Sequence, residues 1–114
     1  MTRIRVCSVH DLAPGSVIRV EVDAAAARTG GGDIAIAVVR EADGSWHAVG
    51  DHCTHGPVSL SEGDLVSTPQ GCAIECWGHG ATFNLTTGEP SLPAVEPIAV
   101  YPVTISGDDV LIDI

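Results

Sequence analysis

Four side chains able to hold a metal stand in two close pairs, Cys53-Thr54-His55 and Cys76-Trp77-Gly78-His79, with 20 residues between His55 and Cys76. Both pairs fall in stretches rich in glycine, serine and acid, "DHCTHGPVSLSEG" and "ECWGHGATF", whose texture is that of loops. A fold that makes use of them must therefore bring two loops together, each supplying one thiol and one imidazole. His52 adjoins Cys53, but its side chain should point away from the one His55 uses.

The rest of the chain says what carries those loops. In "IRVCSV" Ile4 and Val6 alternate with Arg3 and Arg5, and in "VIRVEV" Ile18, Val20 and Val22 alternate with Arg19 and Glu21, as in half-buried strands. A turn from Asp11 to Gly15 separates them, and residues 23–32, "DAAAARTGGG", read as a loop that the triple glycine keeps from forming a long helix. "DIAIAVVREADGSWHAV" predicts a hairpin turning at Asp43-Gly44. Its first strand is apolar on both sides and should be covered on both faces. Between residues 51 and 93 short apolar pieces ("DLV", "CAIEC", "ATFNL") are broken by Gly, Pro, Ser and Thr, with "TTGEP" as a turn. Alternation resumes in "IAVYPVTISGDDVLIDI", which turns at Gly107-Asp108 and holds Pro102 at an edge or bulge. Short strands at near-regular spacing predict an all-β sandwich or barrel in one domain, residues 1–114, with a loop-rich insertion near its middle.

Charge narrows the partners. Fifteen acids face five arginines and no lysine, a formal net charge of -10. This disfavours nucleic acid and anionic membranes, which need positive charge at the contact, and suits steering toward a basic protein partner. No apolar run approaches the ~20 residues of a membrane span, and the N-terminus lacks the apolar core of a signal peptide. A cytoplasmic location is the default expectation. In that setting four cysteines are better read as metal ligands or thiols than as disulfides.

Two metals suit two thiolates and two imidazoles. Tetrahedral zinc accepts that set, though zinc fingers usually pair Cys with Cys and His with His. One Cys and one His from each loop suits a two-iron cluster in which one iron takes the thiolates and the other the imidazoles.

The pattern C-x-H followed by C-x-x-H, with its flanks "CTHGPVSLSEG" and "CWGHGATFNLTTGEP", resembles the Rieske iron–sulfur proteins. The proline-containing stretch "SLPAVEPIAVYPV" also looks like the loop and returning strand that shield the cluster in Rieske ferredoxins. The resemblance implies stacked antiparallel sheets with a loop-rich cluster-binding subdomain, about residues 50–93, at one tip. It implies one 2Fe–2S cluster, Cys53 and Cys76 on the inner iron, and His55 and His79 on the outer, surface-facing iron. Respiratory-complex members of that family add a cysteine to each loop, whereas Gly56, Pro57, Val58, Trp77 and Gly78 offer none. Those members also place serine and tyrosine hydroxyls where this chain has Ala81 and Phe83. Losing donors to the cluster sulfurs removes stabilisation of the reduced state, so a low-potential, ferredoxin-type centre is expected.

The function so implied is a one-electron carrier taking electrons from a flavoprotein reductase and passing them to a terminal oxygenase or dioxygenase. A component of a multicomponent system is expected rather than a complete enzyme. Two other readings keep parts of the pattern: the small subunit of a larger oxidoreductase such as a nitrite reductase, and a structural zinc module for protein binding. One departure from the common ferredoxin pattern is a longer span between the loops, through Ser67–Gly71, read as a longer turn between two strands.

Several residues near the motif carry secondary expectations. Cys72 should share a strand face with Cys76 and pack as a small hydrophobe. Cys7 should fall on the Arg3/Arg5 face as an exposed thiol, and His10 and His47 should be ordinary surface or packed histidines. Trp77 can cap the cluster or anchor a partner, while Glu62, Asp64 and Glu75 should form a solvated acidic rim.

Overall fold

The computed structural model describes residues 3–23, 33–52, 59–78, 80–91 and 94–113. Three of the four expected ligands, Cys53, His55 and His79, lie outside the described residues, as do Gly56, Pro57, Val58, residues 24–32 and Leu92-Pro93.

Among the described residues the chain forms ten strands and two short 3-10 turns. The strands are β1 (Arg3–Ser8), β2 (Ser16–Asp23), β3 (Asp33–Arg40), β4 (Trp46–Gly50), β5 (Asp64–Thr68), β6 (Gly71–Glu75), β7 (Thr82–Asn84), β8 (Val100–Tyr101), β9 (Val103–Ser106) and β10 (Asp109–Asp113). They make three antiparallel sheets, ordered β1-β10-β9, β2-β3-β4-β8 and β5-β6-β7. The expected all-β architecture is present, and no described helix is long and apolar enough to cross a membrane.

The four-stranded sheet is the middle layer because β3 is apolar on both faces. Ile36 and Val38 enter a cluster with Val22, Ala48, Val110 and Ile112, facing the β1-β10-β9 sheet. Ala37 and Val39 enter the opposite cluster with Val49, Leu60, Ile74, Cys76, Phe83 and Leu85. All four β3 residues are fully buried, as the double-sided apolar pattern requires. Pro102 sits between β8 and β9, where the chain leaves the middle sheet for the outer one. A residue without an N–H fits that break between ladders.

The chain after β1 makes a 3-10 turn, Val9–Asp11, ahead of the expected turn. Ser8 accepts the His10 N–H, and the Asp11 carboxylate accepts the Ser8 N–H at 2.8 Å, closing a capping box that ends the strand.

Among the described cysteines, Cys7 is the one placed differently from the sequence reading. The β1/β10 register pairs Arg5 with Leu111 and Cys7 with Val110, so Val6 is an extra residue in a β-bulge. A bulge shifts every later side chain by one position relative to strict alternation. Cys7 is consequently buried at 5% exposure, not an exposed thiol beside Arg3 and Arg5, and burial raises its pKa.

Candidate metal centre

Of the four expected ligands, Cys76 is the one that falls among the described residues. It follows β6 directly and is fully buried in the cluster that holds Leu60, Ala81, Phe83, Ala94 and Ile98. The chain turns back at once: the Cys76 N–H donates to Ala81 O at 2.7 Å and the Gly80 N–H donates to Cys76 O at 2.9 Å. Gly80 takes φ +73°, a left-handed value that a side chain disfavours. Trp77, one residue past Cys76, is 63% exposed. It therefore offers its ring to the surface and does not cap the buried side.

The stretch after β7 completes the apolar wall. Ser91 ties it down, its Oγ accepting the Thr82 N–H at 2.8 Å and its N–H donating to Thr82 O at 2.8 Å. Ala94 and Ile98 then enter the same cluster as Cys76, while Val95 is 77% exposed. Ala81 and Phe83, the positions that carry no hydroxyl, are both fully buried there.

The first loop is approached from both of its ends. Asp51 follows β4 and is the only buried charged or polar residue among those described. Its carboxylate accepts the Ser61 N–H at 2.6 Å and the Ser61 hydroxyl at 3.1 Å, and it pairs with Arg19 Nε at 3.1 Å. Ser61 sits in the second 3-10 turn, Leu60–Glu62. Immediately after it, Gly63 meets the second loop's strand. A Cβ on Gly63 would lie 1.8 Å from the carbonyl oxygen of Glu75, the residue before Cys76. Only glycine permits that approach, so the end of the first loop and the start of the second are in backbone contact.

The acidic rim is as expected at Glu62 and Asp64, which are exposed, and at half-buried Glu75, which stands directly opposite Asp64 in the β5/β6 register. His52 and His10 are exposed; His10 lies 3.5 Å from Asp108, and His47 contacts the Glu41 carboxylate. Cys72 is a half-buried thiol packed against the Cys76 cluster, and burial, with Glu41 beside it, pushes its pKa up to about 11. Cys7 and Cys72 are both unbridged and belong to opposite clusters, which excludes a disulfide between them. The Ser67–Gly71 insertion is the β5–β6 hairpin turn, closed by Thr68 Oγ1 donating to Gly71 O at 2.8 Å.

Sequence reasoning passed over Asp51, Ser61 and Gly63. "LSEG" signals a turn, but nothing in alternation shows that its serine meets an acid ten residues earlier.

A thiol in a fully buried apolar pocket fits the thiolate side of a cluster, which needs protection from water and acid. The donor set of two cysteines and two histidines fits a Rieske centre. Comparison with known proteins agrees. Residues 2–102 match the family described as the Rieske [2Fe-2S] domain. The chain is 40% identical over 114 residues to the biphenyl dioxygenase ferredoxin subunit of Pseudomonas sp. (strain KKS102), covering 99% of this chain and 93% of that one. Among solved structures, the ferredoxin of carbazole 1,9a-dioxygenase from Nocardioides aromaticivorans IC177 superposes with a TM-score of 0.81 at 30% identity, covering 99% of this chain and 98% of that one. A chain of the complex of reduced oxygenase and oxidized ferredoxin in carbazole 1,9a-dioxygenase matches with a TM-score of 0.76 at 37% identity, covering 96% of this chain and 99% of that one.

Proposed function

Because the chain belongs to the Rieske [2Fe-2S] family, we propose that it is the ferredoxin component of a multicomponent dioxygenase, carrying one electron at a time from a flavoprotein reductase to a terminal oxygenase. The observation that carries this reading is the full-length match to ferredoxin subunits, with almost nothing left over on either chain. The protein is an electron-transfer component and not itself a catalyst. Its cofactor is one Rieske 2Fe–2S cluster, which supplies a one-electron couple when bound.

The ligands in this reading are Cys53 and Cys76 on the inner iron and His55 and His79 on the outer iron. Burial of Cys76 supports its assignment to the protected side. Exposed Trp77, two residues before His79, supports electron exit on that face, since an aromatic ring is a common interface anchor. The acidic rim of Glu62, Asp64 and Glu75 complements a basic docking surface on the oxygenase. Residues 1–114 act as one Rieske domain, with the cluster-binding part at about 50–93. Unbridged Cys7 and Cys72 suit the reducing cytoplasm.

The centre is of low potential in this reading, because buried Ala81 and Phe83 offer no hydroxyl to the cluster sulfurs. Iron and sulfide analysis with EPR after dithionite reduction tests the assignment. Two irons and two sulfides per chain and a rhombic signal of low average g are expected. Redox titration should give a midpoint near the lower end of the roughly -150 to +300 mV Rieske range. A colourless protein holding zinc, or a midpoint well above zero, contradicts the respective part of the reading.

A further inference from the structure

The geometry points to Asp51 as the positioning residue of the first ligand loop, a buried carboxylate that fixes both ends of the segment carrying Cys53 and His55. The inference rests on the ligand reading given above. Its basis is an unusual helix cap. The 3-10 turn Leu60–Glu62 has Ser59 at its N-cap, and the Ser59 side chain makes no capping bond. An N-cap side chain normally satisfies the second or third N–H of the turn. Here the second N–H, that of Ser61, is taken instead by the Asp51 carboxylate from ten residues upstream.

One carboxylate thereby joins three parts of the fold. Asp51 is anchored to the middle sheet, its N–H donating to Ala35 O at 3.1 Å, and neighbouring Gly50 donates to Ala99 O at 2.9 Å. Through Ser61 it holds the turn whose Leu60 is fully buried in the Cys76 cluster. Through Arg19 it reaches β2, whose guanidinium balances the buried charge and also contacts Glu21 at 3.0 Å. The side chain of Asp51 is wholly excluded from solvent, so these bonds are not shared with water. A buried carboxylate with three donors is rigid, and it holds Asp51 at one end of the segment and Ser61 at the other in a fixed relation. Groups that orient metal ligands in this way characteristically change retention of the metal by 10–100-fold when removed.

The experiment compares the wild-type protein with Asp51→Ala, Asp51→Asn and Ser61→Ala, using Val110→Ala in the opposite cluster as a control for general destabilisation. Cluster loss under an iron chelator is followed by the decay of visible absorbance, and EPR of the reduced proteins reports ligand geometry. Asp51→Ala is expected to lose its cluster at least tenfold faster, with shifted or broadened g values. Asp51→Asn should fall between it and the wild type. Ser61→Ala, which keeps the capped N–H, should change the rate about threefold, and Val110→Ala should keep wild-type g values however much it melts earlier. If Asp51→Ala does not fold, Asp51→Asn and Ser61→Ala decide the question alone. Wild-type retention and g values in every folded Asp51 and Ser61 variant overturn the inference, as does an equal change in Val110→Ala. A wild-type protein without iron and sulfide overturns the ligand reading itself, a different failure seen before any variant is made.

Discussion

The two loops that carry the proposed ligands are closed by different means. The first is held at its ends by a side chain, the Asp51 carboxylate, which spans from β4 to Ser61 and Arg19. The second is closed by backbone bonds between Cys76, Gly80 and Ala81, with Gly80 at a left-handed φ. A side-chain closure is specific to one residue and fails with it. A backbone closure survives most substitutions and is sensitive mainly where the conformation itself demands glycine. The two meet at Gly63, where the first loop's exit lies against the carbonyl of Glu75.

The largest expected effect separates the proposed ligand thiol, Cys76, from Cys72 on the strand just before it. Cys76→Ser should abolish the visible absorbance and EPR signal, whereas Cys72→Ser should retain both; iron content per chain measures the difference. Next comes the joint between the loops. Gly63→Ala must push two backbones apart, since the new methyl would sit 1.8 Å from an oxygen. A loss of about 1–3 kcal/mol in urea unfolding is expected, with impaired cluster retention. Gly80→Ala tests the second loop by strain alone, for nothing lies within 4 Å of its Cβ position. Its cost should be about 1 kcal/mol, seen as a lowered melting temperature. If Gly80→Ala proves worse than Gly63→Ala, the backbone closure is the weaker of the two.

The smallest effect concerns Cys72. Its folded pKa is raised by burial above the ordinary thiol value, so the unfolded chain ionises first as pH rises. The stability this group contributes is fully present below about pH 9 and is lost as pH climbs toward about 11. The stability difference between the parent and Cys72→Ala, set below that window by the lost packing, should change with pH only within it in denaturant unfolding.

Much of the scaffold was legible because burial on one or two faces imposes period-two patterns. The β3 run with apolar residues on both sides identified the middle layer, and the turns at Asp43-Gly44 and Gly107-Asp108 fell between the paired strands. Cys7 was misplaced because a single bulge at Val6 breaks the period without leaving a mark in residue type. The proposed ligands were read from spacing alone, and Cys76 lies in a fully buried apolar pocket that suits a thiolate ligand. Asp51 was not legible, because a buried acid looks like any loop acid until its partners are known. Those partners sit on β2 and in the turn at Ser61, brought near by tertiary packing alone.

The pairing of β1 with β10 has a mechanical consequence. Arg3 stands opposite Asp113, so the start of β1 and the end of β10 lie at the same end of one antiparallel ladder. A load applied between the ends would break that ladder one rung at a time, as a zipper opens, and not all at once in shear. The rupture would run into the cluster of Val110 and Ile112 and spare the other, because no residue of β1 or β10 contributes to the core around Cys76. Stretching the molecule by its ends should thus dismantle the outer sheet while the redox pole is still intact.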